Sequence, residues 1–244
     1  MLKNKKRIRH IFLDVGDTLL FLGIPPGAIY LDVLRKHGIL KIHHTDADLK
    51  NYFAEAWSEM NSKPNPDWKD RYRIHPHGQD GWWKELISLF LQNVLGKSEI
   101  NLSESIYKEI FDKFENESLW EIEPSFFVLQ EYAHKHNIEL GIISNWDYRL
   151  RGLLERKNLI HYFSPVLISA EFGYEKPSEV IFQKALEMSG REPEELIYVG
   201  DKPELDFFTP IRMGWNAFVI GAKKRADVPY ISTLSDLILF IEGK

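Results

Sequence analysis

Cysteine is absent from the sequence. That excludes disulfides, a thiol nucleophile and cysteine-ligated zinc, and it fits a reducing, cytoplasmic setting. Long apolar runs are missing as well. None approaches the roughly 18 residues that a membrane-spanning helix needs, so no membrane partner is expected. Nor is there an excess of positive charge: the formal net charge is −5, which argues against nucleic acid as a main partner. Internal repeats and low-complexity tracts are lacking. The basic start, with Lys3, Lys5, Lys6 and Arg7, leads into a short apolar run that carries Asp14 and Asp17 and has no small-residue cleavage site. It reads as solvated lysines ahead of a buried strand rather than as a secretory signal.

What is present is a chain of 244 residues, 44 % hydrophobic and 27 % charged, long enough for a core domain and a smaller companion. Seven Trp and fifteen Phe exceed what a minimal core needs, and most are expected to fill it all the same. Five short apolar runs, at residues 8–15, 139–144, 166–169, 196–200 and 217–220, are rich in β-branched residues and end in or precede Gly, Asp or Ser. These features predict strands buried on both faces. Helical patterns at 126–137, 148–157, 177–189 and 206–213 alternate with them. The alternation predicts a doubly wound, Rossmann-like parallel α/β sheet, with ligands bound at the carboxyl ends of its strands.

Residues 22–120 break that rhythm. Four helical patterns, at 28–37, 46–61, 80–95 and 103–116, are joined by polar or proline-rich stretches such as Lys63-Pro64-Asn65-Pro66. No strand is predicted there. The expected organisation is a core of residues 1–21 and 121–244, interrupted at 22–120 by an all-helical cap.

Chemistry-bearing residues gather at the expected strand ends. The first strand runs into Asp14-Val15-Gly16-Asp17-Thr18, the second into Ser144-Asn145, and the fourth into Gly200-Asp201, with Asp206 close behind; Lys176-Pro177 stands just before a helix. A carboxylate at the tip of a buried strand is costly unless paired or bound to a cation. A carboxylate, a hydroxyl, an ammonium and a second acidic pair therefore converge on one sheet edge.

This order and spacing resembles the four motifs of the haloacid dehalogenase superfamily, over nearly the whole chain, from Ile11-Phe12-Leu13-Asp14 to Met213-Gly214. The insert is similar to that family's first class of cap. Asp147 and Arg149, with the pair Trp82-Trp83, resemble the branch of haloacid dehalogenase-like hydrolase domain-containing protein three. The resemblance implies a Mg²⁺-dependent hydrolase acting on a small phosphorylated substrate, with Asp14 as the nucleophile that forms an aspartyl-phosphate. It implies Asp14, the Gly16 carbonyl, Asp201 and Asp206 as metal ligands, and Ser144 and Lys176 as groups that stabilise phosphoryl charge. Asn145 would orient the substrate or bond near Asp14, and Thr18 would fix the loop after the strand.

One position departs from the pattern. The family's phosphatases carry a second Asp two residues after the nucleophile, for leaving-group protonation, and here that position is Gly16. Three readings follow: a slow phosphatase, in which loss of the acid costs about 10²–10⁴ in rate; replacement of the acid by Asp17, His75 or His77; or carbon–halogen cleavage, which needs no such acid. A catalytically weak protein that binds a phosphometabolite or a protein partner is the alternative of another class. Asp17 also reads as a structural loop residue, Trp82-Trp83 as core in at least one member, and Lys223-Lys224-Arg225 as a solvated loop.

Overall fold

A computed structural model describes residues 7–39, 44–96, 102–221 and 225–243. Eight strands are present among them: β1 (His10–Leu13), β2 (Leu20–Leu22), β3 (Trp120–Ile122), β4 (Glu139–Ser144), β5 (Val166–Ile168), β6 (Leu196–Gly200), β7 (Asn216–Ile220) and β8 (Tyr230–Ile231). Six form one sheet in the order β5-β4-β1-β6-β7-β8, and every neighbouring pair in it is parallel. All residues of β1 and β6 are buried, as central strands covered on both faces must be. The doubly wound α/β fold predicted from alternation is therefore the fold observed. The strands β8, β2 and β3 escape the sequence reading, because none of them lies in an apolar run long enough to carry a usable period. The last two pair with each other in a separate ribbon.

Register sets the level of the strand tips. Leu13 lies opposite both Ile142 and Val199, and the Asp14 N–H extends the ladder to the Val199 carbonyl at 2.8 Å. Asp14, Ser144 and Asp201 therefore leave the sheet side by side. Beneath them, Phe12, Ile143, Phe182, Tyr198 and Trp215 pack in one buried cluster. Gly141 permits this packing: a Cβ there would stand 2.5 Å from the Phe12 ring.

Helices Phe126–His136, Arg149–Arg156 and Glu179–Ser189 follow their predicted segments. Two expectations are corrected. The helix predicted from Pro177 starts at Glu179, with the Ser178 side chain accepting from the Val180 N–H, and Pro177 follows a cis peptide bond. The pattern at 206–213 resolves into two short helices, Pro203–Asp206 and Phe208–Arg212.

The chain divides into two compact units, one of Met1–Phe21, Asp67–Asp70 and Glu121–Lys244, the other of Leu22–Pro66 and Arg71–Trp120. Asp67–Asp70 groups with the α/β unit through a bridge between Lys69 and Tyr174. Backbone bonds from Asp70 to Gly173 and from Glu175 to Trp68, each 2.9 Å, flank that bridge. The second unit contains helices Pro26–Lys36, Asp46–Asn61, Arg71–Ile74, Gly78–Leu95 and Glu104–Lys113. Asp46–Asn61 begins at a capping box between Thr45 and Asp48, which satisfies backbone donors that a helix start leaves open. Trp82 is buried and meets Trp57 and Tyr72 edge-on, with the Arg71 guanidinium 5.6 and 5.8 Å from the Trp57 and Trp82 rings. Trp83, partly buried, stacks on Tyr72.

No helix among the described residues is long and apolar enough to cross a membrane. Lys3, Lys5, Lys6, Lys223 and Lys224 lie outside the described residues. Arg225 is paired, 2.9 Å from Asp227 and 3.3 Å from Glu204.

Candidate active site

The tip of β1 places Asp14 between the ends of β4 and β6. Its Oδ1 accepts from the Val15 N–H at 2.7 Å and from the Ser144 hydroxyl at 2.8 Å. Its Oδ2 lies 3.0 Å from the Lys176 ammonium. Lys176 is fully buried, and its two other close partners are Asp206 Oδ1 at 2.6 Å and the Tyr198 hydroxyl at 2.7 Å. An ammonium has three N–H donors, so all three are accounted for. The Tyr198 hydroxyl donates its own hydrogen bond to the Ile143 carbonyl at 2.8 Å. Asp206 Oδ2 accepts the Lys202 N–H at 2.9 Å. This placement demands Gly200, because a Cβ there would come 2.2 Å from the Asp206 carboxyl carbon.

Asp201 completes the acidic side. Oxygen atoms of Asp14, Asp201 and Asp206 lie within 4.8 Å of one another. Asp201 Oδ2 is 3.2 Å from the Lys202 ammonium, and its Oδ1 is buried with no hydrogen-bond partner. Such an orphaned oxygen costs about 1–3 kcal/mol or more. Burial, together with the charges of Asp14, Asp206 and Asp17, pushes the Asp201 carboxyl up to about 6, against the pull of Lys202. Burial likewise raises Asp206, opposed by Lys176. Burial lowers the Lys176 ammonium, but Asp14 and Asp206 outweigh it and hold the group above the ordinary lysine value. Burial raises Tyr198 well above the usual phenol, so it stays a neutral hydrogen-bonding group. Hard oxygen donors with one oxygen left unsatisfied suit a divalent cation such as Mg²⁺.

Two predicted residues do different work from that expected. Asn145 grips the backbone of Lys176 on both sides: its Oδ1 accepts the Lys176 N–H at 2.7 Å and its Nδ2 donates to the Lys176 carbonyl at 2.9 Å. It therefore positions the lysine rather than reaching Asp14. The Thr18 hydroxyl is buried without a hydrogen-bond partner, so the backbone bond expected from it is not formed. The loop is instead closed by backbone, with the Leu19 and Leu20 N–H groups on the Val15 carbonyl at 2.9 and 2.8 Å.

Gly16 is partly exposed on the same loop. Asp17 is exposed and in the left-handed region, φ 54°. Within the second unit, both His75 ring nitrogens are engaged, by Glu85 at 3.1 Å and by the His77 N–H at 3.2 Å. Asp147 is fully buried and binds the Arg149 N–H and Nε, both at 2.9 Å, bracing the turn after Asn145.

Sequence reasoning missed Tyr198, Lys202 and Trp146 as members of this site. Tyr198 is hidden inside an apolar strand. Its one signal is a hydroxyl at the position two before Gly200, where every neighbour is aliphatic.

The model of haloacid dehalogenase-like hydrolases matches residues 77–220. The chain is 28 % identical over 227 residues to haloacid dehalogenase-like hydrolase domain-containing protein 3 of Homo sapiens, covering 92 % of this chain and 86 % of that one. It is 33 % identical over 115 residues to glyceraldehyde 3-phosphate phosphatase of Methanothermobacter thermautotrophicus, covering 40 % of this chain and 49 % of that one. Among solved structures it is similar to the HAD-hydrolase YfnB from Bacillus subtilis bound to magnesium, at TM-score 0.70 and 17 % identity over 97 % of this chain and 100 % of that one. With the family model spanning more than half its length, the chain belongs to the haloacid dehalogenase-like hydrolases.

Proposed function

We propose that this hydrolase is a Mg²⁺-dependent phosphatase that acts on a small phosphorylated metabolite through an aspartyl-phosphate on Asp14. The observation that carries the reading is the Asp14 carboxylate held by Ser144 and Lys176 within 4.8 Å of two further carboxylates. The α/β unit is read as the catalytic body and the helical insert as its cap. The phosphatase name of the Methanothermobacter thermautotrophicus relative and the magnesium of the Bacillus subtilis structure point the same way.

Asp14, Asp201 and Asp206 would hold the cation, with the Gly16 carbonyl as a further oxygen donor. When bound, it offsets the repulsion between these carboxylates and an incoming phosphate. Asp14 attacks phosphorus: a carboxylate O–P bond forms while the bond from phosphorus to the leaving oxygen breaks. Lys176 aims Asp14, since its ammonium touches Oδ2 directly. The Ser144 hydroxyl and the Val15 N–H fix Oδ1. Water then hydrolyses the acyl phosphate and restores Asp14. Position 16 supplies neither proton nor base, so turnover is slow for leaving groups that need protonation.

The test is hydrolysis of p-nitrophenyl phosphate and acetyl phosphate with Mg²⁺ and with EDTA. Activity is expected with Mg²⁺ only, and Asp14→Asn is expected to abolish it; activity that survives Asp14→Asn rejects the reading. Gly16 favours a second reading, a catalytically weak protein that binds a phosphometabolite or a protein partner. Gly16→Asp separates the two: a large gain in turnover marks an under-equipped phosphatase, and no gain marks a non-enzymatic role or different chemistry.

A further inference from the structure

We propose that Trp146 is a specificity-determining residue of this site and that it selects phosphate esters whose leaving group is a planar aromatic ring; the proposal rests on Asp14 being the phosphoryl acceptor. Trp146 follows Ser144, which bonds Asp14, and Asn145, which grips Lys176. Its backbone is clamped by fully buried Ser169. The Trp146 N–H and the Ser169 Oγ are 3.2 Å apart, and the Trp146 carbonyl is 3.2 Å from both the Ser169 Oγ and the Ala170 N–H.

The half-buried indole lies against the Asp14 loop at the one residue with no side chain. Its Cζ3 is 3.4 Å from where a Cβ on Gly16 would stand. Gly16 is not among the glycines with positive φ, so backbone conformation does not call for glycine there. A Cβ there would meet the indole at ordinary van der Waals distance. Position 16, where a carboxylic acid could stand beside the nucleophile, has an aromatic neighbour instead.

Both halves of that exchange favour the same substrate. With no acid at position 16, the P–O bond breaks with its electron pair passing to the leaving oxygen, which takes its proton from water afterwards. An aryl oxygen carries that charge far better than an alkyl oxygen. The indole offers the same aryl ring a stacking partner, and aromatic pairs of this kind add to affinity beyond their buried area.

The experiment compares p-nitrophenyl phosphate, acetyl phosphate and ethyl phosphate on the wild type and on Trp146→Leu, Trp146→Phe and Asp14→Asn. Acetyl phosphate has a good leaving group but no ring, and ethyl phosphate has neither. The wild type is expected to hydrolyse ethyl phosphate at least about 100-fold more slowly than the other two. Trp146→Leu is expected to raise KM for p-nitrophenyl phosphate about fivefold to tenfold and leave KM for acetyl phosphate unchanged, while Trp146→Phe keeps most of the preference. Equal changes for both substrates, or none, overturn the proposal. If the leucine variant fails to fold, Trp146→Gln, which also removes the ring, carries the same comparison. Asp14→Asn is expected to silence every substrate. Hydrolysis that persists in it sinks the phosphatase reading itself, whereas a silent Asp14→Asn beside an unselective Trp146→Leu sinks only this inference.

Discussion

Lys176 is the residue whose removal separates structure from chemistry. Its ammonium lies between Asp14 at 3.0 Å and Asp206 at 2.6 Å, with all three groups withdrawn from solvent. Breaking a buried ion pair by deleting one partner strands the other charge and costs about 3–5 kcal/mol. Lys176→Met, measured by urea unfolding in EDTA, is therefore expected to lose about that much. Lys176→Met with Asp206→Asn is expected to recover part of it, because the neutral amide no longer has a buried charge to compensate. A double variant no more stable than the single one counts against this account. At this scale the sequence was most informative about residues whose type is costly to bury. Asp14, Ser144, Lys176, Asp201 and Asp206 stood out because each sits at an expected strand end or close to an expected helix start. The contacts of Asn145 and Thr18 were not legible, because their types favour turns for ordinary reasons, and which way a turn residue faces depends on a fold not yet assembled.

At the scale of elements, the strands explain the glycines. β4 runs beside β1 with Gly141 opposite Phe12, whose fully buried ring occupies the space a side chain would need. Phe12 is itself packed against Trp215, with centroids 5.5 Å apart, and has no room to yield. Gly141→Ala is expected to destabilise the protein by about 1–3 kcal/mol through overpacking, read as a lower urea midpoint at unchanged slope. A neutral Gly141→Ala would mean that the ring can move. The long elements were legible because their burial is periodic or continuous. Strands β2, β3 and β8 were not, and neither was the start of helix Glu179–Ser189, since Pro at a first helical position is so common that Pro177 mimicked one.

For the whole molecule, two dependences on solution conditions follow. Three carboxylates within 4.8 Å repel one another, so a cation that binds only the folded state stabilises it, by about 2.7 kcal/mol at 100 times its Kd. Mg²⁺ is expected to raise the midpoint of thermal unfolding. Asp201→Asn is expected to raise that midpoint in EDTA, since burial and like charges already disfavour the ionised carboxyl, and to shrink the Mg²⁺ increment. An increment of full size in Asp201→Asn excludes Asp201 as a ligand.

The second dependence comes from His10, fully buried and stacked on Phe12 at 4.1 Å. Burial, with a smaller push from Arg191, lowers it to about 4 against the pull of Glu139. Between pH 6.5 and about 4 the unfolded chain binds a proton at this residue that the folded chain does not. Stability therefore falls as pH falls through that window, by up to about 3 kcal/mol from this one group. His10→Leu is expected to flatten the unfolding free energy over the same window; a slope equal to that of the wild type would remove His10 as the cause.

The amino-acid sequence alone determined the alternation of strand and helix, the helical interruption between residues 22 and 120, and the chain order of the acids, hydroxyl and ammonium, because periodicity, burial cost and order along the chain are local properties. The tertiary structure alone decided which groups touch. The register of β1 against β4 and β6 brings Asp14, Ser144 and Asp201 to one level. The packing beneath turns Tyr198 toward Lys176, and Ser169 holds the backbone of Trp146, whose ring lies against Gly16. Contacts between residues more than a hundred positions apart depend on how the strands pair, and strand pairing leaves no mark in any one segment.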